Sequence, residues 1–99
     1  MNRIDELFQK AQARGQKVFV PFLVAGDPDL STTLRVAADV ARAAESLQVP
    51  VLLELGFPYG DPLADGPTIQ SAYTHALDQG VRVADIFGSV RELRGKTSI

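Results

Sequence analysis

Two apolar runs separated by one helical segment constrain the fold of this chain more than any other feature. Residues 18–25 and 49–55 are almost entirely apolar, which is typical of strands covered on both faces in a parallel sheet. Between them, apolar residues repeat at helical spacing over residues 31–48. A strand, a helix and a second strand form a right-handed parallel unit, so the sequence predicts an α/β fold.

Three further amphipathic helices are predicted, over residues 2–14, 67–79 and 83–95. Pro67 suits the first position of its helix, where a missing N–H costs nothing. Ser31 is expected to cap the helix between the two strands. Pro21 cannot donate a ladder hydrogen bond, so we expect an irregularity in the first strand. Residues 56–66 are rich in glycine and proline and predict a loop.

Charge and composition exclude several classes of function. The 99 residues carry a net charge of -2, which provides no broad positive field for nucleic acid. No apolar run approaches the roughly 20 residues that span a bilayer, so we expect no membrane segment. The chain contains no cysteine and its amino terminus shows no export signal, so a cytoplasmic location is expected.

Glu54 interrupts the second apolar run. A carboxylate in an apolar setting loses hydration that neighbouring groups must replace, so its presence needs a reason. One reason is a structural pairing with an Arg or Lys side chain, and another is catalysis. Asp61 and Asp65 follow in the adjacent loop, where aspartate next to proline or glycine is also a common turn former.

The chain resembles the amino-terminal part of the tryptophan synthase alpha chain family, whose fold is an eight-stranded (β/α)8 TIM barrel. The resemblance covers nearly all 99 residues and is carried by four segments: Phe19-Val20-Pro21-Phe22, Gly26-Asp27-Pro28, Glu54-Leu55-Gly56 and residues 61–70. It implies that residues 1–99 form the first two strands and their helices of a single barrel domain.

The resemblance also implies an activity. Members of the family cleave indole-3-glycerol phosphate to indole and glyceraldehyde 3-phosphate, a carbon–carbon lyase reaction of tryptophan biosynthesis. Indole then passes to a beta chain that carries pyridoxal phosphate, within an alpha2beta2 tetramer. By this resemblance the chain itself needs no cofactor and no metal, and its partners are the small-molecule substrate and the beta chain.

Six residues receive roles from the resemblance. The catalytic pair is Glu54 and Asp65, the walls of the indole pocket are Phe22 and Ile69, and the loop near the beta chain contains Pro58 and Asp61. Glu54 would lie at the carboxyl end of its strand, in the barrel mouth, where apolar surroundings would suit it to proton transfer. Asp65 precedes a helix, whose N–H dipoles favour an ionised carboxylate that can accept a hydrogen bond from the indole N–H.

The chain departs from the family in three ways. Residues 44–50 replace a shorter connection before the second strand, and Gly60 stands where serine is common. A complete barrel needs about 250 residues and binds phosphate after strands 7 and 8, and these 99 residues contain no such loop. We therefore expect the isolated chain to be inactive and to associate or fold partially, because its strand edges remain unpaired.

Two other functions are compatible with the sequence. Another barrel enzyme acting on phosphorylated substrates would explain an acid at a strand end, though not the whole loop. A non-catalytic fragment could instead dock onto a partner through its exposed sheet edges. An adjoining coding sequence with a third strand and a glycine-rich phosphate loop would favour the enzymes.

Several chemically capable residues are assigned structural roles. Asp27 is expected to close its Gly-Asp-Pro turn, His75 to be solvated on its helix, and Tyr59 and Tyr73 to pack. The sequence offers no sign that Glu54, Asp61, Asp65 and His75 converge on a metal. Gly95-Lys96-Thr97 follows a helix rather than a strand, so it indicates a helix end and not a phosphate loop.

Overall fold

A computed structural model describes residues 2–60 and 65–99 of the chain. Within these residues the elements are α1 (Arg3–Ala13), β1 (Phe22–Val24), α2 (Leu30–Leu47), β2 (Glu54–Gly56), α3 (Pro67–Asp78) and α4 (Val83–Lys96). The predicted order of helices and strands is confirmed, and every helix boundary lies within two residues of the prediction. No helix in this part of the chain is long and apolar enough to cross a membrane.

The two strands pair in parallel, with Phe22 opposite Glu54 and Val24 opposite Gly56. The crossover between them is α2, so the predicted strand–helix–strand unit is present. Residues in register on neighbouring strands point to the same face, so Phe22, Val24 and Glu54 share one face of the sheet. Leu55 lies on the opposite face, as the alternation predicts.

Each regular strand has three residues, fewer than the sequence predicts. Pro21 is the cause of the interruption in the first run. Its carbonyl accepts a 2.9 Å hydrogen bond from the Glu54 N–H, but it has no N–H with which to continue the ladder. The strands nevertheless run side by side beyond the interruption, since Phe19 and Val51 form an isolated parallel bridge.

Helices cover the two faces of the sheet. On the face of Val24, α3 contributes Tyr73 and Ala76 to a buried apolar cluster, with Ile69, Ala72 and Val81 packed around it. On the other face, Leu53 and Leu55 line a groove of about 490 Å³ together with side chains of α1 and α4. Coverage is incomplete at the start of the strands: Phe22 is 37% exposed, so the prediction of a strand buried on both faces is wrong there.

Asp29, rather than Ser31, caps α2. The Asp29 carboxylate accepts a 2.7 Å hydrogen bond from the N–H of Thr32, while its own backbone is still extended. Ser31 is already the second residue of the helix, so it cannot take the capping position. α2 packs against α4. The buried residues of α2 are Thr33, Ala37, Ala41 and Ala44.

Candidate active site

Glu54 is the first residue of β2, so its predicted position at the carboxyl end of the strand is wrong: regular pairing begins only beyond Pro21, with Phe22 opposite Glu54. Glu54 shares its face of the sheet with Phe22. Its side chain is exposed, so the prediction that apolar residues surround Glu54 is wrong for the part of the chain that the structure describes. β2 has a neighbour on one side only in this part of the chain, which leaves Glu54 open to solvent. Within residues 2–60 and 65–99, no Arg or Lys forms an ion pair with Glu54, so the structural-pairing alternative finds no support.

Asp65 is half-buried immediately before Gly66, which caps the amino terminus of α3. One carboxylate oxygen, Oδ2, accepts a long 3.5 Å hydrogen bond from the Tyr59 hydroxyl. The main-chain carbonyl of Asp65 accepts a 2.6 Å bond from the Gln70 side chain, which fixes the backbone at the helix start. The position beside a helix amino terminus agrees with the sequence prediction.

Tyr73 lies in the buried cluster on the side of the sheet that α3 covers. Burial raises the pKa of its phenol, and the negative charge of Asp65 raises it further.

Phe22 and Ile69, the two residues expected to contact substrate, line the same cleft of about 250 Å³. Its other walls come from β1 and from the first turns of α2 and α3, including Thr33 and Thr68. Val24 and Ala72 also line this cleft, and both belong to or pack against the buried cluster that contains Tyr73. The structure thus brings the two pocket residues together.

Gly56 leaves space for the Phe22 ring. A Cβ atom at position 56 would lie 2.5 Å from Cζ of Phe22, a distance that real Cβ atoms do not tolerate. The ring therefore lies across the end of β2, two residues beyond Glu54. Glycine suits this position because of the close approach of a side chain and not because of its backbone conformation, and an added methyl group would make the Phe22 ring turn.

Two aromatic contacts attach the loop after β2 to the helices. Phe57 meets Phe87 of α4 edge to face at 5.5 Å, and Tyr59 meets Tyr73 of α3 at 5.2 Å. Pro58 lies between these contacts and is half-buried. Asp61, the other residue predicted to lie near the beta chain, falls outside the described residues.

His75 differs from its predicted role, and Asp27 makes a contact in addition to its turn. The Nδ1 atom of His75 lies 2.5 Å from Oδ1 of Asp27, so His75 is paired rather than simply solvated, although half of its side chain is exposed. The Asp27 N–H donates to the Val24 carbonyl at 3.3 Å, which agrees with the predicted turn. No group of three or more His, Cys, Asp and Glu residues in the described part of the chain could hold a metal ion.

Sequence reasoning missed the contact between Asp27 and His75, because no spacing along the chain indicates that residues 48 positions apart meet. The prediction that Tyr73 is a packing residue is confirmed, since it is 6% exposed and belongs to the buried cluster.

Known proteins match this chain in sequence along nearly its whole length. A sequence model of the tryptophan synthase alpha chain family matches residues 8–99. The alpha chain of Thermoanaerobacter pseudethanolicus is 44% identical over 99 residues, which are 100% of this chain and 36% of that protein. The alpha chain of Synechocystis is 46% identical over 93 residues, covering 94% of this chain and 33% of that protein.

Solved structures show the same relationship. The crystal structure of tryptophan synthase subunit alpha from Legionella pneumophila superposes with a TM-score of 0.87 at 34% identity, covering 98% of this chain and 36% of that one. A tryptophan synthase structure from M. tuberculosis in its aminoacrylate-bound form gives 0.79 at 30% identity, with 91% and 35% covered.

The chain spans about a third of the length of the relatives it matches. The parallel strand–helix–strand unit is consistent with the first part of the α/β barrel of those relatives, as the fold prediction states. The chain belongs to the tryptophan synthase alpha chain family.

Proposed function

We propose that this chain supplies the two catalytic carboxylates of an indole-3-glycerol phosphate lyase, the alpha reaction of tryptophan biosynthesis. The observation that carries the proposal is that Glu54 shares its face of the sheet with Phe22, and that Phe22 and Ile69 line one cleft. Asp65 lies just before α3, the helix that carries Ile69. Membership of the family supports the reaction assigned to this arrangement.

Glu54 is the acid and base in this proposal. Cleavage needs one proton delivered to indole C3 and one removed from the hydroxyl on the adjacent glycerol carbon. Protonation of C3 places positive charge on the ring nitrogen. Loss of the hydroxyl proton then breaks the carbon–carbon bond and releases indole and the aldehyde. Because the Glu54 carboxyl has no cationic partner in the described part of the chain, it is available for both transfers.

Asp65 stabilises the charge that develops during the reaction. An ionised carboxylate accepts a hydrogen bond from the ring N–H and strengthens it as the nitrogen becomes positive. This interaction is stronger in the transition state than in the ground state, so it accelerates the chemical step. Phe22 and Ile69 provide the apolar surface that holds the indole ring.

The remaining assignments concern partners. Pro58 and Asp61 would face a beta chain that carries the pyridoxal phosphate, in a cytoplasmic alpha2beta2 assembly. The aromatic contacts of Phe57 and Tyr59 support this role, because they fix the residues on either side of Pro58 against α4 and α3. Indole-3-glycerol phosphate is the small-molecule partner.

A complete barrel tests the proposal. Residues 1–99 would be joined to the remaining two thirds of the Thermoanaerobacter pseudethanolicus alpha chain, and indole release would be measured. Glu54→Gln should lower kcat by about a hundredfold or more with little change in KM, because it removes proton transfer and not binding. Asp65→Asn should also lower kcat.

Glu45→Gln, which neutralises an exposed carboxylate on α2, is the matched control and should leave both constants unchanged. A complete barrel that releases no indole, or a Glu54→Gln variant as active as its parent, would contradict the proposed function.

A further inference from the structure

We propose that Thr33 is a positioning residue, whose buried hydroxyl holds the loop after β1 and through that loop sets where Ile69 lies relative to Phe22. This inference rests on the proposed function, in which Phe22 and Ile69 hold the indole ring. Thr33 belongs to the first turn of α2 and lines the same cleft as these two residues.

The Thr33 hydroxyl joins the end of β1 to the start of α2. Thr33 is only 5% exposed, and its oxygen accepts a 3.1 Å hydrogen bond from the buried N–H of Gly26. Its single proton can be donated to the Asp29 carbonyl at 3.2 Å or to the Val24 carbonyl at 3.5 Å. Buried polar groups need such partners, so the positions of the hydroxyl and of the loop depend on each other.

Gly26 has little freedom to move within this loop. Its φ of +97° is one that other residues rarely adopt, and an added Cβ atom would lie 3.0 Å from Cβ of Val81. Val81 itself packs against the buried cluster that joins α3 to β1. Removal of the Thr33 hydroxyl would take the acceptor from a buried N–H, and the loop would have to shift to give that N–H another partner.

Asp27 transmits a shift of the loop to α3. It directly follows Gly26, and its Oδ1 atom lies 2.5 Å from Nδ1 of His75. His75 and Ile69 are both residues of α3. Because packed elements move together, a displaced Asp27 would displace α3 through this contact and move Ile69 with it.

Three substitutions in the complete barrel separate the hydroxyl group of Thr33 from its methyl group. Thr33→Val and Thr33→Ala remove the hydroxyl, whereas Thr33→Ser keeps it and removes the methyl. Both hydroxyl-free variants should raise KM about fivefold with kcat changed less than about twofold, because they displace a wall of the pocket and not the two carboxylates. Thr33→Ser should keep the KM of the parent, even though it lowers Tm.

Thr74→Val is the matched control. Thr74 is exposed on α3, and its hydroxyl donates to the Gln70 carbonyl one turn earlier in the same helix. This substitution should change neither KM nor kcat. A purely structural role of Thr33 would lower Tm in all three variants and leave KM where it was. An equal rise of KM in Thr33→Ser and Thr33→Val would also overturn the inference, because the hydroxyl would not be the responsible group.

An Asp27→Asn protein tests the path from Thr33 to α3. Thr33→Val should raise KM less in this protein than in the parent, because the contact with His75 is already weakened. Substitutions that act along one path are not additive, whereas independent ones are. An equal rise of KM in both proteins would therefore overturn the inference.

A readout independent of activity separates this inference from the proposed function. In protein with ¹³C-labelled isoleucine methyl groups, the Ile69 resonance reports the surroundings of this side chain in the cleft. It should shift in Thr33→Val and stay at the parent position in Thr33→Ser. If the parent barrel releases indole but Thr33→Val changes neither KM nor this resonance, the inference is wrong and the proposed function stands.

The same resonance decides the inference if no barrel releases indole and the proposed function fails. A shift in Thr33→Val that is absent from Thr33→Ser would still show that the hydroxyl positions Ile69. An Ile69 resonance that is the same in the parent and in Thr33→Val would overturn the inference.

Discussion

Asp27 and His75 are 48 positions apart in the chain, and their side chains meet with Oδ1 and Nδ1 2.5 Å apart. The contact joins the loop that follows β1 to α3. The same helix packs on Val24 of β1 through Tyr73 and Ala76, so a polar contact at the surface reinforces an apolar one beneath it. α3 also carries Ile69, which lines the cleft together with Phe22.

A double-mutant cycle on Asp27→Asn and His75→Gln should give a coupling free energy of about 0.5 kcal/mol in the unfolding of the complete barrel. The value is small because both side chains are partly exposed and solvent competes for them. Urea denaturation of the four proteins measures it.

Lys96 and Glu92 provide the comparison, since they pair at 3.1 Å within α4 and connect no other element. Disrupting this pair should leave KM for the substrate unchanged, whereas the Asp27 and His75 variants should raise it by displacing α3. Equal effects of the two pairs on KM would show that the Asp27–His75 contact does not position the site.

Gly56→Ala should lower the free energy of unfolding of the complete barrel by about 1 kcal/mol and raise KM about tenfold. The new methyl group would meet the Phe22 ring, which must turn away from the cleft. Urea denaturation and steady-state kinetics measure the two effects.

Gly56→Ala made in a Phe22→Leu protein shows whether contact with the Phe22 ring causes the loss of stability. With the ring removed, Gly56→Ala should cost less free energy than in the parent, although KM should stay high because the pocket has lost its aromatic wall. The same cost in both backgrounds would assign the effect to the backbone of β2 instead.

The helices were predictable from the sequence because their signals are local. Apolar spacing sets each buried side, and terminal residues such as Gly15 and Pro67 set the ends. The strands were less predictable, since an apolar run gives no register with its partner. Pro21 was recognised as an interruption, but only the paired structure shows that its carbonyl still accepts from Glu54.

The residues of the candidate site also differ in how far the sequence predicts them. The resemblance assigns roles to four of them from short segments of the sequence: Glu54, Asp65, Phe22 and Ile69. Their exposure and partners depend on how α3 lies over β1, which no spacing along the chain determines. The Asp27–His75 contact is a consequence of that packing, whereas the sequence predicts a turn for Asp27 and a solvated side chain for His75.

Asp29→Asn should make the complete barrel less sensitive to acid while leaving its Tm at pH 7 nearly unchanged. The N–H and then the hydroxyl of Thr32 bond to the Asp29 carboxylate and hold its pKa below the usual value. Because this pKa is lower in the folded state than in the unfolded state, the ionised carboxylate stabilises the folded protein above about pH 4, the usual aspartate pKa. This stabilisation is lost as the pH falls through the lowered pKa of the folded state. Asparagine keeps the capping oxygen without the charge.

Tm measured at pH 7 and pH 3 gives the comparison. The difference between the two values should shrink in Asp29→Asn and persist in Asp78→Asn, which removes an exposed carboxylate at the last residue of α3. If the Tm difference between pH 7 and pH 3 were as large in Asp29→Asn as in the parent, the Asp29 cap would not contribute to acid sensitivity.

Ile86→Ala should destabilise the complete barrel by about 3 kcal/mol, and Val83→Ala on the same helix by less than about 0.5 kcal/mol. Ile86 is 1% exposed on α4, which packs against α2, so truncation leaves a cavity in addition to the lost apolar burial. Val83 is 57% exposed in the first turn of α4 and loses little on truncation. Urea denaturation distinguishes the two variants, and a similar loss in both would place the stabilising face of α4 elsewhere.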